Sequence, residues 1–496
     1  MNIALFLEMA AEAAPDRIAL VCDGRSFSYA QLLAGARGAA TMIAQSHAEH
    51  VALLDEASEA AVFALFGAAL AGVPYVPLNY RLADADLAAL LQRITPCLLV
   101  GDVARARSLH DDERNMLIAR ERFTGQAKEA PAIEESDAGL GTAVQLFTSG
   151  TTGMPKAAIL RHTNLTSYVI GTVDFGSAPE GSAGLVTVPP YHIAGIAALL
   201  TSIYSQRKII LLPAFTPEAW LDLVADQRVT NAFVVPTMLA RIVDVMDKGH
   251  RPDMSSLKAI SYGGGKMPLE LISLALDLFP ETGFTNAYGL TETSSTVALL
   301  SPEDHRAAKA SNDPMVHARL ASVGIPLPTI ELEIRDEDGK LLGRDAVGEI
   351  YVRGEQVSGE YKEKSALTAD GWFPTRDAGY LDRDGYLFLS GRADDVIVRG
   401  GENLSPGEIE DVLLTHPAVT DACATGIPSH EWGETVGVAL VLSDGNKAPE
   451  QQEIQQLVRD RLRSSRVPEQ ILFVESLPYN EMGKLLRREV KTWFKR

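Results

Sequence analysis

Short apolar runs alternate with longer amphipathic runs through the middle third of the chain, and this alternation constrains the fold more than any other feature. Apolar runs at residues 208–212, 231–235 and 257–265 each precede a stretch of helical periodicity. Strands that alternate with helices build βαβ units, in which the strands lie parallel. We therefore predict an α/β fold. A proline, with its fixed φ, stands where each helix should begin: Pro217, Pro236 and Pro268.

The pattern changes after about residue 331. Apolar segments there are joined by Asp-Gly pairs at residues 338–339 and 384–385, which is the strongest short signal for a β-hairpin. The C-terminal part then shows an α+β pattern of its own. We predict a large N-terminal domain at residues 1–391, with mixed, mostly parallel sheets, helices and an antiparallel β-subdomain. A small α+β C-terminal domain is predicted at residues 392–496.

Charge and cysteine content exclude several classes of function. The 496 residues include 45 Lys and Arg against 65 Asp and Glu, a net charge of −20. Such a surface repels phosphate backbones, so we expect no nucleic-acid partner, although a small anion needs only a local positive site. Cys22, Cys97 and Cys423 are too few and too scattered for a disulfide framework or a cysteine zinc site. We therefore expect a cytoplasmic protein.

One segment approaches the length of a membrane span. Residues 60–78 are 19 residues without a charge. Gly72, Pro74 and Pro77 interrupt this segment, which therefore predicts an Ala-rich helix followed by a short buried strand. We expect no stable membrane insertion.

The most informative motif is the loop at residues 146–156, LFTSGTTGMPK. Its glycines let backbone N–H groups turn inward, its hydroxyls add donors, and its lysine adds a mobile positive charge, as a phosphate-binding loop requires. The spacing GxxGxxK is not that of a Walker A loop. Ala157 stands where a magnesium-binding serine or threonine would follow the lysine.

Five further motifs follow in order. They are NAYGLTET (residues 286–293), PTRDAGY (374–380), GRADD (391–395), RGGEN (399–403) and NEMGK (480–484). The first offers a tyrosine ring, a hydroxyl and a carboxylate for a nucleotide with its Mg²⁺, and the second offers an aspartate for ribose hydroxyls. Taken singly, most of them are as typical of a surface as of a site.

Together, and in this order, the motifs resemble those of the adenylate-forming superfamily. That superfamily comprises acyl- and aryl-CoA synthetases, peptide-synthetase adenylation domains and firefly-type luciferases. The resemblance extends from about Leu5 to Arg488. It implies a large N-terminal domain and a small C-terminal domain that rotates on a hinge.

The resemblance also implies roles for individual residues. The loop from Thr148 to Lys156 would hold the β- and γ-phosphates of ATP, and Tyr288 would stack on adenine. Thr291 would contact the α-phosphate, and Glu292 would bind Mg²⁺. The residues implied to bind ATP or coenzyme A are Thr148, Ser149, Gly150, Thr151, Thr152, Gly153, Lys156, Gly263, Gly264, Gly265, Tyr288, Thr291, Asp377, Arg392, Arg399, Gly400 and Gly401.

In the small domain, the resemblance places the hinge at Asp394 and the adenylation lysine at Lys484. Thr291, Glu292 and Lys484 would act in the first reaction step, and His192 would gate the channels for the acyl group and the thiol. The turn at residues 398–403 would face the site after the small domain rotates, because its glycines leave space for a pantetheine arm.

These residues predict an ATP-dependent carboxylic acid–CoA ligase. His192 stands where amino-acid-activating domains carry an aspartate, so an amino acid is not the expected substrate. The expected acyl pocket is mostly apolar or neutral, which favours an aromatic or medium-chain acid. Its predicted members are Tyr191, His192, Ile193, Asn286 and Val297.

Three other functions remain as alternatives at this point. The acyl group could pass to the phosphopantetheine of a carrier protein instead of coenzyme A. Phosphoryl transfer by a P-loop enzyme is disfavoured by the loop spacing, and a non-catalytic binder is disfavoured because Lys484 and Glu292 are present. The expected partners are a carboxylate, ATP and coenzyme A. A homodimer is kept open because no pattern specifies the oligomeric state.

Overall fold

The structure, a computed structural model, describes residues 1–131, 140–148, 155–392, 395–400, 402–429, 431–443, 448–479 and 485–494, without the side chain of residue 403. Four sheets and their helices are found in these ranges. Two large sheets carry most of the parallel strands, and the other two are smaller.

The first sheet contains nine strands within the described residues. Their bounds are β1 (Ile18–Cys22), β2 (Arg25–Ser28), β9 (Ala183–Val186), β10 (Lys208–Leu211), β11 (Asn231–Val234), β12 (Ala259–Gly263), β13 (Gly283–Leu290), β14 (Ser295–Leu300) and β15 (Ile325–Pro326). They lie in the order β15-β14-β13-β12-β11-β9-β10-β1-β2. The strands from β13 to β1 are parallel, and β2, β14 and β15 pair antiparallel at the edges.

The second sheet has seven strands in the part of the chain that the structure describes. Their bounds are β3 (His50–Leu54), β4 (Tyr75–Pro77), β5 (Cys97–Gly101), β6 (Met116–Ile118), β7 (Thr142–Thr148), β8 (Lys156–Arg161) and β18 (Glu360–Tyr361). They lie in the order β18-β8-β7-β4-β3-β5-β6. The strands from β7 to β6 are parallel, and β8 and β18 are antiparallel. The prediction of mixed, mostly parallel sheets is confirmed.

Helices pack on both large sheets. Their bounds are α1 (Ala4–Ala13), α2 (Tyr29–Ser46), α3 (Glu59–Ala71), α4 (Asp84–Ile94), α5 (Val103–Leu109), α6 (Arg120–Glu129), α7 (His162–Thr172), α8 (Ile193–Tyr204), α9 (Pro217–Asp226), α10 (Pro236–Asp247), α11 (Leu269–Leu278), α12 (Pro302–Ala310) and α13 (Pro314–His317). Pro217 and Pro236 occupy the first helical turn, as predicted. Pro268 instead precedes its helix by one residue.

The uncharged segment at residues 60–78 forms α3 and β4. Helix α3 is buried on nearly its whole surface, which explains its uniform apolarity. It packs closely against α2, because Gly35 leaves room for the ring of Phe63, only 2.3 Å from where a Cβ on Gly35 would lie. No helix among the described residues is sufficiently long and apolar to cross a bilayer.

The antiparallel subdomain is a third sheet of β16 (Glu331–Arg335), β17 (Gly348–Arg353), β19 (Phe373–Leu381) and β20 (Leu387–Arg392). The glycines of the two Asp-Gly pairs, Gly339 and Gly385, have φ of +78° and +92°, as tight turns require. Strand β20 ends at Arg392. The predicted division between residues 391 and 392 therefore falls at the end of a strand of the large domain.

The C-terminal part has its own sheet and core. Its elements are β21 (Ile397–Arg399), β22 (Glu402–Leu404), α14 (Pro406–Leu413), β23 (Val419–Ser429), β24 (Gly433–Leu442), α15 (Gln451–Arg461), β25 (Gln470–Val474) and α16 (Arg487–Trp493). The core includes Ile409, Val438 and Ile454. The sequence predicts a capped helix at α14. Ser405 does occupy the N-cap position, but its hydroxyl donates to the carbonyl of Ser390, at 2.7 Å, in the large domain.

Candidate active site

A cavity of about 1110 Å³ opens where strands of both large sheets end. Pro77 ends β4, Thr148 ends β7, and Thr291 directly follows β13. The carboxyl ends of parallel strands are the usual place for ligands in such sheets. The predicted site residues that line this cavity are Thr148, Lys156, Tyr191, His192, Ile193, Gly264, Thr291, Glu292 and Arg392.

The lysine of the predicted phosphate loop is held by a β-ladder. Lys156 begins β8 and is the antiparallel partner of Thr148, the last residue of β7. Both ends of the predicted loop are therefore fixed beside the cavity. The Nζ atom of Lys156 lies 5.3 Å from the ring centroid of Tyr361. Ser149, Gly150, Thr151, Thr152 and Gly153 lie outside the described residues.

Glu292 lies in a short 3₁₀ turn, Thr291–Thr293, directly after β13. The residue is only 8% exposed, although it lines the cavity. Its Oε1 atom accepts a 2.6 Å hydrogen bond from the hydroxyl of Tyr361. Burial and, to a smaller extent, the negative charge of Glu292 raise the pKa of Tyr361, so this hydroxyl stays a donor.

Asp377 is the centre of a second polar group. The antiparallel register of β19 and β20 places it directly opposite Arg392. Its Oδ1 atom accepts a hydrogen bond from Arg392 at 2.8 Å, and its Oδ2 atom accepts one from the hydroxyl of Tyr288 at 2.7 Å. Burial and, to a smaller extent, the charge of Asp377 raise the pKa of Tyr288. The carboxylate is thus oriented from two sides before any ligand binds.

Arg376 precedes this aspartate and lines the main cavity, whereas Asp377 itself does not. Its φ of +62° places a non-glycine residue in the left-handed region. Such a conformation costs about 1–3 kcal/mol and is concentrated at functional sites. The backbone N–H of Arg376 donates to Glu349 at 3.2 Å, which helps to hold this conformation.

His192 separates the main cavity from a second one. The smaller cavity measures about 200 Å³, and His192 lines both. Burial, with a smaller effect of the Arg81 charge, lowers the pKa of His192 to about 4, so its ring is neutral at pH 7. Its Nε2 atom is buried and has no hydrogen-bond partner among the described residues.

The second cavity opens to solvent through cationic and polar side chains. Arg81, Thr237 and Arg241 line it and are exposed, whereas Thr187 lies in its buried part. The guanidinium of Arg241 lies 5.3 Å from the ring centroid of Phe215.

Several predicted residues lie elsewhere. Val297 is completely buried and packs in the core around the third sheet, together with the Tyr288 ring. The amide of Asn286 donates to the carbonyl of Ser322 at 3.0 Å. None of these three lines the main cavity, nor do Gly263, Gly265 and Asp377, although Arg392, the partner of Asp377, does. Stacking of Tyr288 on adenine, and the place of Asn286 and Val297 in the acyl pocket, stay predictions that the cavity lining does not support.

The predicted residues of the small domain fall into two groups. Arg399 donates to the carbonyl of Ser465 and to Glu469, both at 2.7 Å, and neither Arg399 nor Gly400 lines the cavity. Their predicted contact with the thiol arm requires a different domain orientation and is untested. The others lie outside the described residues: Asp394, Gly401 and Lys484.

Many residues of the cavity wall were not among the predicted site residues, and they include the polar side chains of Tyr361, Arg376 and Tyr479. Tyr479 comes from the small domain and pairs across an antiparallel bridge with Leu485. Its hydroxyl donates to Asp421 at 2.8 Å. The segment that carries Lys484 therefore begins at the cavity wall. The YNEMGK segment could have indicated Tyr479, whereas no motif singles out Tyr361.

The two domains meet through exposed polar contacts. The Nζ atom of Lys266, which follows the three glycines, lies 2.6 Å from Asp411 and 3.1 Å from the carbonyl of Gly407. Lys266 and Asp411 are 50% and 59% exposed. These contacts place the N-terminus of α14 beside the end of β12.

Comparison with known protein families gives two matches. The profile described as AMP-binding enzyme matches residues 7–362, and that of the AMP-binding enzyme C-terminal domain matches residues 408–484. The predicted domain boundary lies between these segments and stays a prediction.

Individual proteins are similar over nearly the full length. A fatty acid–[acyl-carrier-protein] ligase of Streptomyces coeruleorubidus is 32% identical over 98% of this chain and 95% of its own. A 2-succinylbenzoate–CoA ligase of Geobacillus kaustophilus is 32% identical, with 98% and 97% covered. The o-succinylbenzoate CoA synthetase of Bacillus subtilis, in complex with ATP and magnesium, superposes with a TM-score of 0.83 at 30% identity, with 98% and 99% covered.

Proposed function

The chain belongs to the AMP-binding enzyme family, and from this premise we propose that it is an ATP-dependent carboxylic acid–CoA ligase. In the first step, a carboxylate oxygen attacks the α-phosphorus of ATP, and pyrophosphate leaves as acyl-AMP forms. In the second step, a thiol attacks the acyl carbon, and AMP and a proton leave as the thioester forms. One observation supports the proposal: residues predicted to bind the nucleotide line one cavity, and His192 joins its wall to that of a second cavity lined by Arg81 and Arg241.

The nucleotide would be oriented by two groups of residues. Asp377 is held by Tyr288 and Arg392, so its carboxylate can accept hydrogen bonds from ribose hydroxyls with little reorganisation. Thr148 and Lys156, at the ends of the glycine-rich loop, would contact the terminal phosphates. Together they would fix the α-phosphorus against the incoming carboxylate.

The residues fit a phosphate-bound Mg²⁺. Among the described residues, no three His, Cys, Asp or Glu side chains cluster to hold a metal alone. Magnesium is commonly bound by one or two carboxylates together with substrate phosphates, and Glu292 is placed at the cavity wall to supply one. When bound, the ion would neutralise charge on the phosphates during attack.

Lys484 would supply the remaining positive charge for the first step. The carboxylate and the α-phosphate are both anions, so bringing them together needs a cation at the point of reaction. Tyr479 lines the cavity and pairs with Leu485, so the residue that precedes the segment carrying Lys484 lies at the cavity wall. Rotation about Asp394 would then remove this lysine and present the turn at residues 398–403 for the second step.

The second cavity supports free coenzyme A as the acceptor. Arg81 and Arg241 at its opening could pair with the phosphates of coenzyme A, and the neutral interior suits a pantetheine arm. Because the pKa of His192 is lowered to about 4, the histidine would meet the thiol and the acyl group as a neutral ring. It can therefore move aside without leaving an unpaired charge buried.

The acid is proposed to be aromatic or medium-chain. Leu146, Phe147, Tyr191 and Ile193 supply apolar surface to the main cavity. Relatives include ligases named for an aromatic acid and for a fatty acid, so both classes belong in the substrate test.

A carrier-protein phosphopantetheine is the second candidate acceptor. It is favoured by the similarity to the fatty acid–[acyl-carrier-protein] ligase, at 32% identity. Coenzyme A saturation separates the two. Transfer to a carrier protein with no turnover on free coenzyme A would select the second candidate.

The cytoplasm is the proposed compartment, because Cys22, Cys97 and Cys423 are buried free thiols and the reaction consumes ATP and coenzyme A. A homodimer stays a prediction, and sedimentation velocity would test it.

The test is pyrophosphate release with ATP and Mg²⁺ across a panel of aromatic, medium-chain and dicarboxylic acids, each with and without coenzyme A. We expect release to depend on one acid class and acyl-CoA to form only with coenzyme A. AMP rather than ADP must accumulate. ADP formation, or ATP binding without release for any acid, would contradict the proposal.

A further inference from the structure

A short segment ties the predicted metal carboxylate to the strand of the phosphate-loop lysine. The backbone N–H groups of Ser358 and Gly359 donate to the carbonyl of Glu292, at 2.9 and 3.1 Å. Two residues later, Tyr361 pairs with Ala158 of β8. Glu292 follows a strand of the first sheet, and Lys156 begins a strand of the second. This segment therefore contacts residues next to both.

Tyr361 makes the two side-chain contacts in this link. Its hydroxyl donates to Oε1 of Glu292 at 2.6 Å, and the Nζ atom of Lys156 lies 5.3 Å from its ring centroid. Tyr361 also lines the main cavity. One side chain thus orients a carboxylate through its hydroxyl and an ammonium through its ring.

We propose that Tyr361 is a positioning residue for the metal–triphosphate part of the substrate, an inference that rests on the proposed function. Its hydroxyl engages Oε1 and holds the carboxylate in one rotamer, so that Oε2 can be offered to Mg²⁺. Magnesium demands near-ideal octahedral geometry, so an unfixed carboxylate would lose affinity. The ring keeps Lys156 beside the same phosphates through a cation–π contact.

The opposing interpretation is that Tyr361 only stabilises the edge strand β18. A purely structural tyrosine would affect all ligands of the cavity alike, whether or not they carry a metal. A positioning tyrosine would affect MgATP and spare AMP, because AMP lacks the β- and γ-phosphates and needs no metal there. The two nucleotides therefore distinguish the interpretations.

The experiment compares Tyr361→Phe, which removes only the hydroxyl, with Tyr361→Leu, which also removes the aromatic ring. Tyr386→Phe is the matched control, because the Tyr386 hydroxyl also donates to a carboxylate, Asp304, at 2.7 Å, yet Tyr386 does not line the cavity. Calorimetric titration of the full chain measures the binding of ATP with Mg²⁺ and of AMP without it. Neither measurement needs an acid substrate.

For Tyr361→Phe we expect about tenfold weaker binding of MgATP, the lower end of the 10–100-fold effect of outer-shell partners on metal sites. AMP binding should stay within about twofold of the unmodified protein, as should both nucleotides in the control. Tyr361→Leu should lose a further factor of about 2–5 for MgATP, because the ring contact with Lys156 is gone. The Mg²⁺ concentration for half-maximal pyrophosphate release should rise in parallel.

Equal weakening of MgATP and AMP in Tyr361→Phe would overturn the proposal, and so would unchanged MgATP binding. Failure of the ligase function has a different signature, since the unmodified protein would then release no pyrophosphate with any acid. The binding comparison would remain readable in that case.

Discussion

Polar groups in and beside the cavity are held firmly in the large domain, whereas the contact between the two domains includes exposed groups. In the large domain, Asp377 and Glu292 are held by bonds of 2.6 to 2.8 Å from Tyr288, Arg392 and Tyr361. The small domain contacts the large one through exposed groups such as Lys266 and Asp411, and also through the hydroxyl of Ser405, which donates to the carbonyl of Ser390. Exposed ion pairs contribute about 0.2–1 kcal/mol. The groups predicted to bind the nucleotide are therefore held in place, whereas the exposed pair contributes little to the contact between the domains.

The strongest way to test this comparison is to remove the cation that the small domain is proposed to bring. We expect Lys484→Ala to lower acid-dependent pyrophosphate release by about 10²–10³-fold, because one positioned charge at the reacting phosphate is lost. Conversion of supplied acyl-AMP and coenzyme A should change little, since the lysine would have left the site by then. The two half-reactions are measured separately.

Lys491→Ala is the matched control for this prediction, because Lys491 lies on α16 and pairs with Glu434 at 2.9 Å. Equal loss of both half-reactions in Lys484→Ala would remove the lysine from its assigned role.

Lowering the pH should destabilise the large domain more than the small domain. Burial lowers the pKa of four histidines of the large domain, to about 4 for His162 and His192 and in the same direction for His50 and His305. The unfolded chain binds protons below about pH 6.5 while the folded chain does not, so stability falls as pH drops from 6.5 towards 4. His162 alone would cost up to about 3 kcal/mol by pH 4.

In the small domain, burial raises the pKa of Asp421. Its contribution to the pH dependence of stability therefore has the opposite sign to that of the histidines. Hydrogen exchange followed by mass spectrometry at pH 7.0 and 5.5, corrected for intrinsic rates, should therefore show protection lost first in the large domain. His162→Asn should reduce the pH slope there and leave the small domain as it was. Equal slopes in both domains would refute this expectation.

A smaller effect is expected from a substitution in the polar group around Asp377. Asp377→Asn keeps the shape but removes the charge that Arg392 faces, and it weakens the expected contact with ribose. We expect about 10–100-fold weaker binding of both AMP and MgATP, as for the loss of a hydrogen bond to a charged group. Asp345→Asn, at an exposed carboxylate 3.6 Å from Arg383, should leave binding unchanged. An effect on MgATP alone would assign Asp377 to the phosphates instead.

The smallest effect concerns the domain contact. Lys266→Ala should reduce adenylation by no more than about fivefold, because an exposed ion pair is worth at most about 1 kcal/mol. Thioester formation from acyl-AMP should be unchanged or faster, since this contact no longer holds the orientation seen here. Lys248→Ala, which removes an exposed pair with Asp244 at 2.7 Å, is the control. A loss of both half-reactions would mean that Lys266 has a role in the chemistry.

Sequence patterns predicted the local elements well, because these depend on neighbours along the chain. The strands β10, β11 and β12, their helices and the turns at Gly339 and Gly385 lie where periodicity and Asp-Gly pairs predict them. The motifs also predicted part of the cavity wall, including Lys156, Glu292 and Arg392. Those residues occupy strand ends and turns, which motifs mark directly.

Other features could not be predicted from local patterns. The guanidinium of Arg487 is nearly buried beside Glu410, a residue 77 positions earlier in the chain. The hydroxyl of Ser405, at the N-cap position of α14, donates to the carbonyl of Ser390 across the domain boundary. In each case a partner distant along the chain decided the environment, and no local pattern encodes such a partner.

The sequence by itself determined the α/β architecture, the order of the nucleotide-binding motifs and the chemistry that those motifs resemble. Only the tertiary structure decided that Asp377 faces Arg392, that Tyr361 joins Glu292 to Lys156, and that His192 stands between two cavities. The physical reason is that strand register and domain packing bring together residues far apart in the chain. Their hydrogen bonds and burial exist only after folding, so composition and spacing do not reveal them.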